Sequence, residues 1–259
     1  MPERLARVAV RAITPVLRAI GYRPTPIDRV LEDGFLTAYS KCQPYSLTSV
    51  ERMYALFKAV QYLVYAGVPG DIVECGVWKG GSAMMVAYAL GQLGQTDRQI
   101  RLYDTFSGMV QPAGIDVEIG RSRAALPRWT RENRSSVNRW CFAPYEEVER
   151  NMRATGYPME RVTFVRGPVE STLPREAPAR ISLLRLDTDW YESTKHELTH
   201  LYPRLSEGGV LIVDDYGHWA GAQKAVDEYF STTGRRILLN RIDYSGRIGI
   251  KQEPRLVTT

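Results

Sequence analysis

Cysteine is scarce in this chain of 259 residues and gives no pairing pattern. Its three cysteines, Cys42, Cys75 and Cys141, lie far apart in the sequence. An odd and dispersed set indicates neither a disulfide framework nor a zinc site. The sequence therefore predicts a protein of a reducing compartment, and we expect a cytoplasmic location.

Long apolar runs and blocks of like charge are also missing. No stretch is long and clean enough to indicate a membrane span or a secretory signal. The formal net charge is +5, but the 34 Lys and Arg residues are dispersed along the chain. A nucleic-acid backbone is usually bound by clustered cations, so we expect no nucleic-acid partner.

Residues 1–27 depart from this even distribution. They carry five Arg against one acid, with apolar residues interleaved, which predicts a basic amphipathic helix. Such a helix lies on a membrane, or it packs on the domain or across a dimer. Pro15 would interrupt a long surface helix, so packing is favoured over membrane contact. Packing across a dimer would make the protein a homo-oligomer, and we expect a dimer or larger.

Repeats and low-complexity segments are absent, and from about residue 45 helical patterns alternate with short apolar runs. This alternation predicts right-handed crossovers and a mostly parallel sheet. Two further runs near the end of the chain predict an antiparallel edge. The predicted strands are 71–75, 100–104, 162–165, 181–186, 209–213, 237–239 and 247–251, and the predicted helices are 49–65, 81–93, 145–155, 192–205 and 220–230.

The segment 109–142 breaks this regular pattern. It has no clear period and contains six Arg, three acids, Trp129 and Trp140. An irregular stretch of this length is more often a lid or binding loop than a plain connection. The predicted organisation is thus a helical extension, 1–44, and one α/β domain, 45–259, with a lid around 109–142.

A glycine-rich turn follows the first predicted strand. Glu74 is followed by Gly76, Gly80, Gly81 and Ser82, and Asp104 ends the next strand. Glycines let a ligand approach the backbone closely, and the start of the following helix offers free N–H groups. An acid at the end of the second strand commonly accepts hydrogen bonds from ribose hydroxyls. The dinucleotide fingerprint G-x-G-x-x-G is absent, which favours a nucleoside ligand without a diphosphate, such as S-adenosylmethionine (SAM), over NAD. A salt-bridge or capping role for Glu74 is the alternative.

Two pairs of acids follow the fourth and fifth predicted strands. Asp187 and Asp189 come after the strand 181–186, and Asp214 and Asp215 come after the strand 209–213. Four carboxylates at one sheet edge repel one another, and a hard divalent cation such as Mg²⁺ is the simplest compensation. Three acids would hold the cation, which lowers the pKa of a substrate hydroxyl, and the fourth would act as base. Helix N-capping is the alternative for Asp187, Asp214 and Asp215.

At these residues the sequence resembles the macrocin O-methyltransferase (TylF) family. The resemblance covers most of residues 45–250 and rests on four blocks of sequence. They are PGDIVECGVWKGG (69–81), YDTFSGM (103–109), LRLDTDWY (184–191), and YPRL (202–205) through GG (208–209) to DDY (214–216).

The resemblance implies a class I methyltransferase (Rossmann-like) fold with a seven-stranded sheet, a bound Mg²⁺, and methylation of sugar hydroxyls on natural products. It implies Asp187, Asp214 and Asp215 as metal ligands and Asp189 as the base, although some relatives use a histidine. Further expected residues are Glu74, Gly76, Gly80, Ser82, Asp104, Gly167 and Ser46 at the cofactor, and His218, Trp140 and Tyr216 at the acceptor.

The expected function is therefore Mg²⁺-dependent methyl transfer from SAM to a hydroxyl of a sugar or glycoside. A phenol or catechol acceptor is one alternative, because the same metal chemistry serves it. A non-catalytic, membrane-associated binding protein is the other.

Overall fold

The computed structural model describes Pro15 and residues 31–252 of the chain. The chain divides into two compact units, residues 1–33 and 34–259. The basic helix expected within residues 1–27 lies outside the described residues apart from Pro15, so its role stays a prediction, as does the domain boundary at residue 45. Within the described part, no helix combines the length and apolar character that crossing a membrane requires.

Short strands alternate with helices along the chain, as the sequence predicts. The described strands are β1 (Asp71–Cys75), β2 (Ile100–Asp104), β3 (Asn133–Arg134), β4 (Val137–Asn138), β5 (Val162–Arg166), β6 (Ile181–Leu186), β7 (Leu205–Val213), β8 (Asn240–Arg241) and β9 (Arg247–Ile250). The described α-helices are α1 (Asp33–Cys42), α2 (Val50–Tyr65), α3 (Gly81–Gln92), α4 (Leu126–Glu132), α5 (Tyr145–Arg153), α6 (Val169–Thr172), α7 (Tyr191–Leu201) and α8 (Ala220–Thr232).

One seven-stranded sheet organises the domain, in the order β5-β2-β1-β6-β7-β9-β8. Five neighbouring strands of this order, β5, β2, β1, β6 and β7, pair in parallel. In contrast, β9 pairs antiparallel with both β7 and β8. This is the expected mostly parallel sheet with an antiparallel edge. The winding reverses between β1 and β6, and ligands bind at such a switch point in open α/β sheets.

Successive side chains of the central strands face opposite layers of helices. On β6, Leu184 and Leu186 belong to the core that α7 covers with Leu198 and Leu201. Leu183 and Arg185 point to the other face, where α2 and α3 pack. The strand is buried along its whole length, which explains why it reads as one apolar run interrupted by a single charge.

Three predicted elements differ clearly from the structure, namely the helix 192–205, the strand 209–213 and the strand 237–239. The helix expected at 192–205 stops at Leu201, because Pro203 lacks the N–H that a helix needs, and β7 begins at Leu205. The prediction of a strand at 237–239 is wrong. Ile237 and Leu239 pack on the core without pairing, and the backbone joins the sheet only at β8.

The segment 109–142 contains structure of its own. It holds α4 and the two-stranded hairpin of β3 and β4. Its Trp140 packs with Trp190 and Trp219, whose ring centroids lie 5.4 and 6.0 Å away. The side of the segment that faces the sheet is therefore anchored beside the ends of β6 and β7.

Candidate active site

A cavity of about 240 Å³ opens at the carboxyl ends of β1, β2, β6 and β7. An adjoining recess is lined by Gly167 together with Gly76 and Asp104. The structure thus brings most of the predicted site residues to one place. The cavity itself is lined by Ser46, Gly76, Ser82, Asp104, Trp140, Asp187, Asp189, Asp214, Asp215 and His218.

Gly76 is the point at which the first strand meets the acidic edge. Its φ is +82°, and a Cβ built there would overlap the carbonyl oxygen of Asp187. The Asp187 N–H also donates to the carbonyl of Cys75 at 2.8 Å. Only glycine fits this position, so the glycine turn and the first acid are held in direct contact.

Asp104 holds the glycine turn in its conformation. Its Oδ2 accepts the N–H groups of Val77 and Trp78 at 2.7 and 3.1 Å, and its Oδ1 accepts that of Phe106 at 2.7 Å. Burial raises the pKa of Asp104, and these three N–H groups oppose the rise. A carboxylate can accept about four hydrogen bonds, so capacity for a ribose hydroxyl remains.

The other predicted cofactor residues near the turn divide into two groups. Ser46 and Ser82 line the cavity, and both hydroxyls contact the sulfur of Met53, at 3.8 and 4.0 Å. Gly80 does not line the cavity. It precedes α3 with a φ of +87°, so its requirement for glycine comes from the backbone conformation at the helix start.

Glu74 differs from its expected role at the cofactor. Its side chain is 4% exposed and faces the α2 and α3 layer, where Oε1 accepts a hydrogen bond from Arg185 at 2.5 Å. Burial raises the pKa of Glu74 to about 7, and Arg185 opposes the rise. The alternative interpretation of Glu74, a salt-bridge role, therefore describes it correctly. The alternation of side chains along the strand turns Glu74 away from the cavity and towards Arg185.

Two arginines neutralise part of the acidic edge from behind. Arg185, in the middle of the sheet, also contacts Asp187 at 2.8 Å and Asp214 at 2.6 Å. Arg52, on α2, binds Asp214 from the other side and Asp243 at 3.0 Å. These pairs fix the carboxylate of Asp214 between two guanidinium groups.

Asp187, Asp214 and Asp215 are arranged as a cation site would require. One oxygen of each lies within 4.8 Å of the others. Oδ2 of Asp215 is buried without a hydrogen-bond partner, and an orphaned buried oxygen calls for a cation or a proton. The capping alternative is wrong, because α7 and α8 have Trp190 and Trp219 at their N-caps and no side-chain cap. These residues therefore fit Mg²⁺, which prefers carboxylate oxygens.

Asp189 stands beside this cluster in a strained conformation. Its φ is +68°, and its Oδ1 accepts the indole N–H of Trp219 at 2.7 Å. Burial raises the pKa of Asp189 to about 8, and the nearby charge of Asp187 adds to the rise. Strain and a pKa near neutrality are both features of catalytic groups.

The three predicted acceptor residues do not share one environment. His218 and Trp140 line the cavity, and the guanidinium of Arg128 lies 4.1 Å from the centre of the Trp140 ring. Tyr216 does not reach it. Its hydroxyl bonds Asp227 of α8 at 2.8 Å, because the chain turns between Asp215 and α8 and directs this side chain to the outside.

Comparison with known proteins gives a consistent result. The family model of macrocin-O-methyltransferase (TylF) matches residues 38–248. The chain belongs to this family. It is a SAM-dependent O-methyltransferase, so the alternative of a non-catalytic binding protein is wrong.

Individual relatives of this O-methyltransferase cover most of its length. It is 33% identical over 238 residues to the 8-demethyl-8-(2,3-dimethoxy-alpha-L-rhamnosyl)-tetracenomycin-C 4'-O-methyltransferase of Streptomyces olivaceus, covering 89% of this chain and 87% of that one. It is 36% identical to demethyldecarbamoylnovobiocin O-methyltransferase of Streptomyces niveus, over 71% and 67%. The solved structure of the O-methyltransferase NovP matches with a TM-score of 0.69 and 32% identity, over 81% and 83% of the two chains.

Several residues around the site of this methyltransferase were not expected from the sequence. They are Arg52, Arg185, Trp219 and Asp243. Arg185 leaves a detectable signal, since a charge inside the apolar run 181–186 must pair with an acid when the strand is buried. Arg52 and Asp243 lie far apart in sequence and meet only because the turn before β9 packs on the start of α2.

Proposed function

We propose that this enzyme transfers the methyl group of SAM to a hydroxyl of a sugar on a glycosylated natural product, with Mg²⁺ at Asp187, Asp214 and Asp215 and with Asp189 as the base. The observation that carries the proposal is the position of Asp189. It adjoins three carboxylates within 4.8 Å of one another, in the cavity that also contains the glycine turn.

The chemical step needs one proton acceptor and one fixed orientation. The acceptor oxygen attacks the methyl carbon, the bond from carbon to the sulfonium sulfur breaks, and S-adenosylhomocysteine leaves as a neutral thioether. Asp189 takes the hydroxyl proton as the oxygen attacks, while Trp219 holds the carboxylate in position. A bound Mg²⁺ would lower the pKa of the acceptor hydroxyl.

The cofactor residues would bind SAM across the switch point. Gly76 and Asp104 line both the cavity and the recess that contains Gly167, so a nucleoside can extend from one to the other. Ser46 and Ser82 lie at the opposite side, where the methionine end would reach. Two relatives support the sugar acceptor. One is named as the 4'-O-methyltransferase of a rhamnosyl-tetracenomycin, and the other is named mycinamicin III 3''-O-methyltransferase.

Binding and turnover can be tested separately. We expect calorimetric titration of the purified protein to give micromolar binding of SAM and none of NAD. Glycoside and phenol panels are then incubated with SAM, with Mg²⁺ or with EDTA, and a gain of one methyl group is followed by mass spectrometry. Methylation of phenols but not of glycosides would refute the acceptor, and full activity in EDTA would refute the metal.

A further inference from the structure

A carboxylic acid is buried directly beneath the catalytic edge. Glu197, on the inner face of α7, is 0% exposed. Its Oε1 accepts the hydroxyl of Thr188 at 2.9 Å, and its Oε2 has no hydrogen-bond partner. No cation in the described ranges pairs with it. Burial raises the pKa of Glu197 well above its usual range, which favours the neutral form of the side chain.

The contacts of Glu197 join two parts of the active site. Thr188 lies between Asp187 and Asp189, and its carbonyl accepts the N–H of Trp190 at 2.8 Å, which closes the turn into α7. On the other side, the side chain of Cys75 at the end of β1 faces the same carboxyl group. Glu197 therefore lies under both the glycine turn and the acidic loop, by which we mean residues 187–189.

The acidic loop needs support because Asp189 has a positive φ. Asp adopts such a conformation more often than most residues but less readily than glycine, so contacts from the surrounding structure help to hold it there. An apolar side chain at position 197 would fill the same space in the core, but it would leave the Thr188 hydroxyl without an acceptor. A buried polar group without a partner is the situation that native structures avoid.

We propose that Glu197 is a positioning residue for Asp189, since its carboxyl group anchors Thr188 and so fixes the left-handed turn on which the base is carried. This inference rests on the proposed function in that Asp189 is the base. Glu197 itself touches neither the cavity nor any reacting atom.

The indole N–H of Trp219 reports the position of Asp189 independently of activity. It donates to Asp189 Oδ1 at 2.7 Å, and its resonance can be assigned among the five tryptophans by Trp219→Phe. Glu197→Leu and Thr188→Val are each expected to move this resonance and to lower kcat about 10- to 100-fold. The Kd of SAM should stay unchanged in Glu197→Leu, because Glu197 lines neither the cavity nor the recess, whereas Thr188 lines the recess.

Two variants serve as controls. Glu197→Gln keeps a neutral oxygen acceptor for Thr188, so we expect both readouts to stay near the wild-type values. Thr172→Val removes another buried hydroxyl, which bonds only to backbone carbonyls of its own turn, and should leave both readouts unchanged.

The outcomes separate this inference from the proposed function. An unmoved Trp219 resonance in both Glu197→Leu and Thr188→Val overturns it, and so does an unchanged kcat where Asp189→Asn is inactive. A shifted resonance in a protein whose Asp189→Asn variant is fully active would support the positioning role and refute Asp189 as the base.

Discussion

Replacing Asp189 with Asn removes the proposed base while keeping its surroundings. Asn is one of the few residues that adopts the left-handed region readily, so the turn at φ +68° is retained. Its amide oxygen still accepts the indole N–H of Trp219. The variant therefore loses the capacity to take a proton and little else, whereas Ala would also release the turn and the tryptophan.

The expected loss follows from the work that the base performs. A positioned general base contributes about 10²- to 10⁴-fold to the rate, which corresponds to about 3 to 5 kcal/mol of activation free energy. We expect kcat for Asp189→Asn to fall by that factor. The affinity for SAM, measured by calorimetry, should stay at its wild-type value because the glycine turn is untouched.

The pH profile provides a second test of the same residue. The pKa of Asp189 is about 8 in the metal-free protein, raised by burial and by Asp187. A base works only when ionised, so wild-type kcat/KM should rise with pH and level off above this pKa. A cation at Asp187 favours the ionised form and moves the midpoint to lower pH. The Asp189→Asn profile should lack this ascending limb.

Initial rates at saturating SAM across a pH series measure both effects. Asp227→Asn, which alters an acid on the outer side of α8 that bonds Tyr216, is the matched control and should behave as the wild type. Wild-type kcat in Asp189→Asn would refute the base assignment. A reduced kcat with the ascending limb intact would show that another group titrates.

Three further outcomes follow from the same structure. Mg²⁺ at a hundred times its Kd should stabilise the folded protein by about 2.7 kcal/mol and raise Tm by about 5 to 10 °C, and Asp215→Asn should abolish this shift in scanning calorimetry. Gly76→Ala should destabilise by about 2 to 4 kcal/mol in urea titrations, through strain and overlap, whereas Gly156→Ala, with similar φ but open space around it, should cost about 1 kcal/mol. In EDTA, Tm should fall as pH rises through the pKa values of about 6 for Asp187 and about 8 for Asp189, because the folded state then binds more protons than the unfolded state. An unchanged Tm with Mg²⁺ would contradict the first expectation, and equal losses of unfolding free energy in both glycine variants would contradict the second. A Tm that rises with pH in EDTA would contradict the third.

The central sheet could be predicted from the sequence because its strands are buried on both faces. Such strands are short apolar runs with sharp ends, and β1, β2 and β6 begin and end where the pattern predicts. The positions of Asp187 and Asp214 follow, since the ends of parallel strands meet at one edge. The segment 237–239 has the same composition, but its place depends on packing against the core rather than on pairing.

Side-chain direction was harder to predict than position along the chain. Tyr216 directly follows Asp215, yet a tight turn sends the two side chains to different sides of α8. Glu74 ends a strand at the ligand-binding edge, yet strand alternation points it to Arg185. In both cases the sequence gives the neighbourhood, and contacts between distant residues decide which way the group faces.

The charges at the carboxyl ends of β6 and β7 favour the binding of a cation. Arg52 and Arg185 pair with Glu74, Asp187, Asp214 and Asp243, so two of the three proposed metal ligands already have a guanidinium partner. Asp189 and Asp215 have no cationic partner in the part of the chain that the structure describes, and burial raises the pKa of both. In the absence of a cation the raised pKa values favour the protonated forms of these two acids, and an acid that holds a proton cannot act as a base. In the proposed mechanism, a hard divalent ion beside Asp215 would displace these protons and leave Asp189 ionised, so that it could accept the hydroxyl proton.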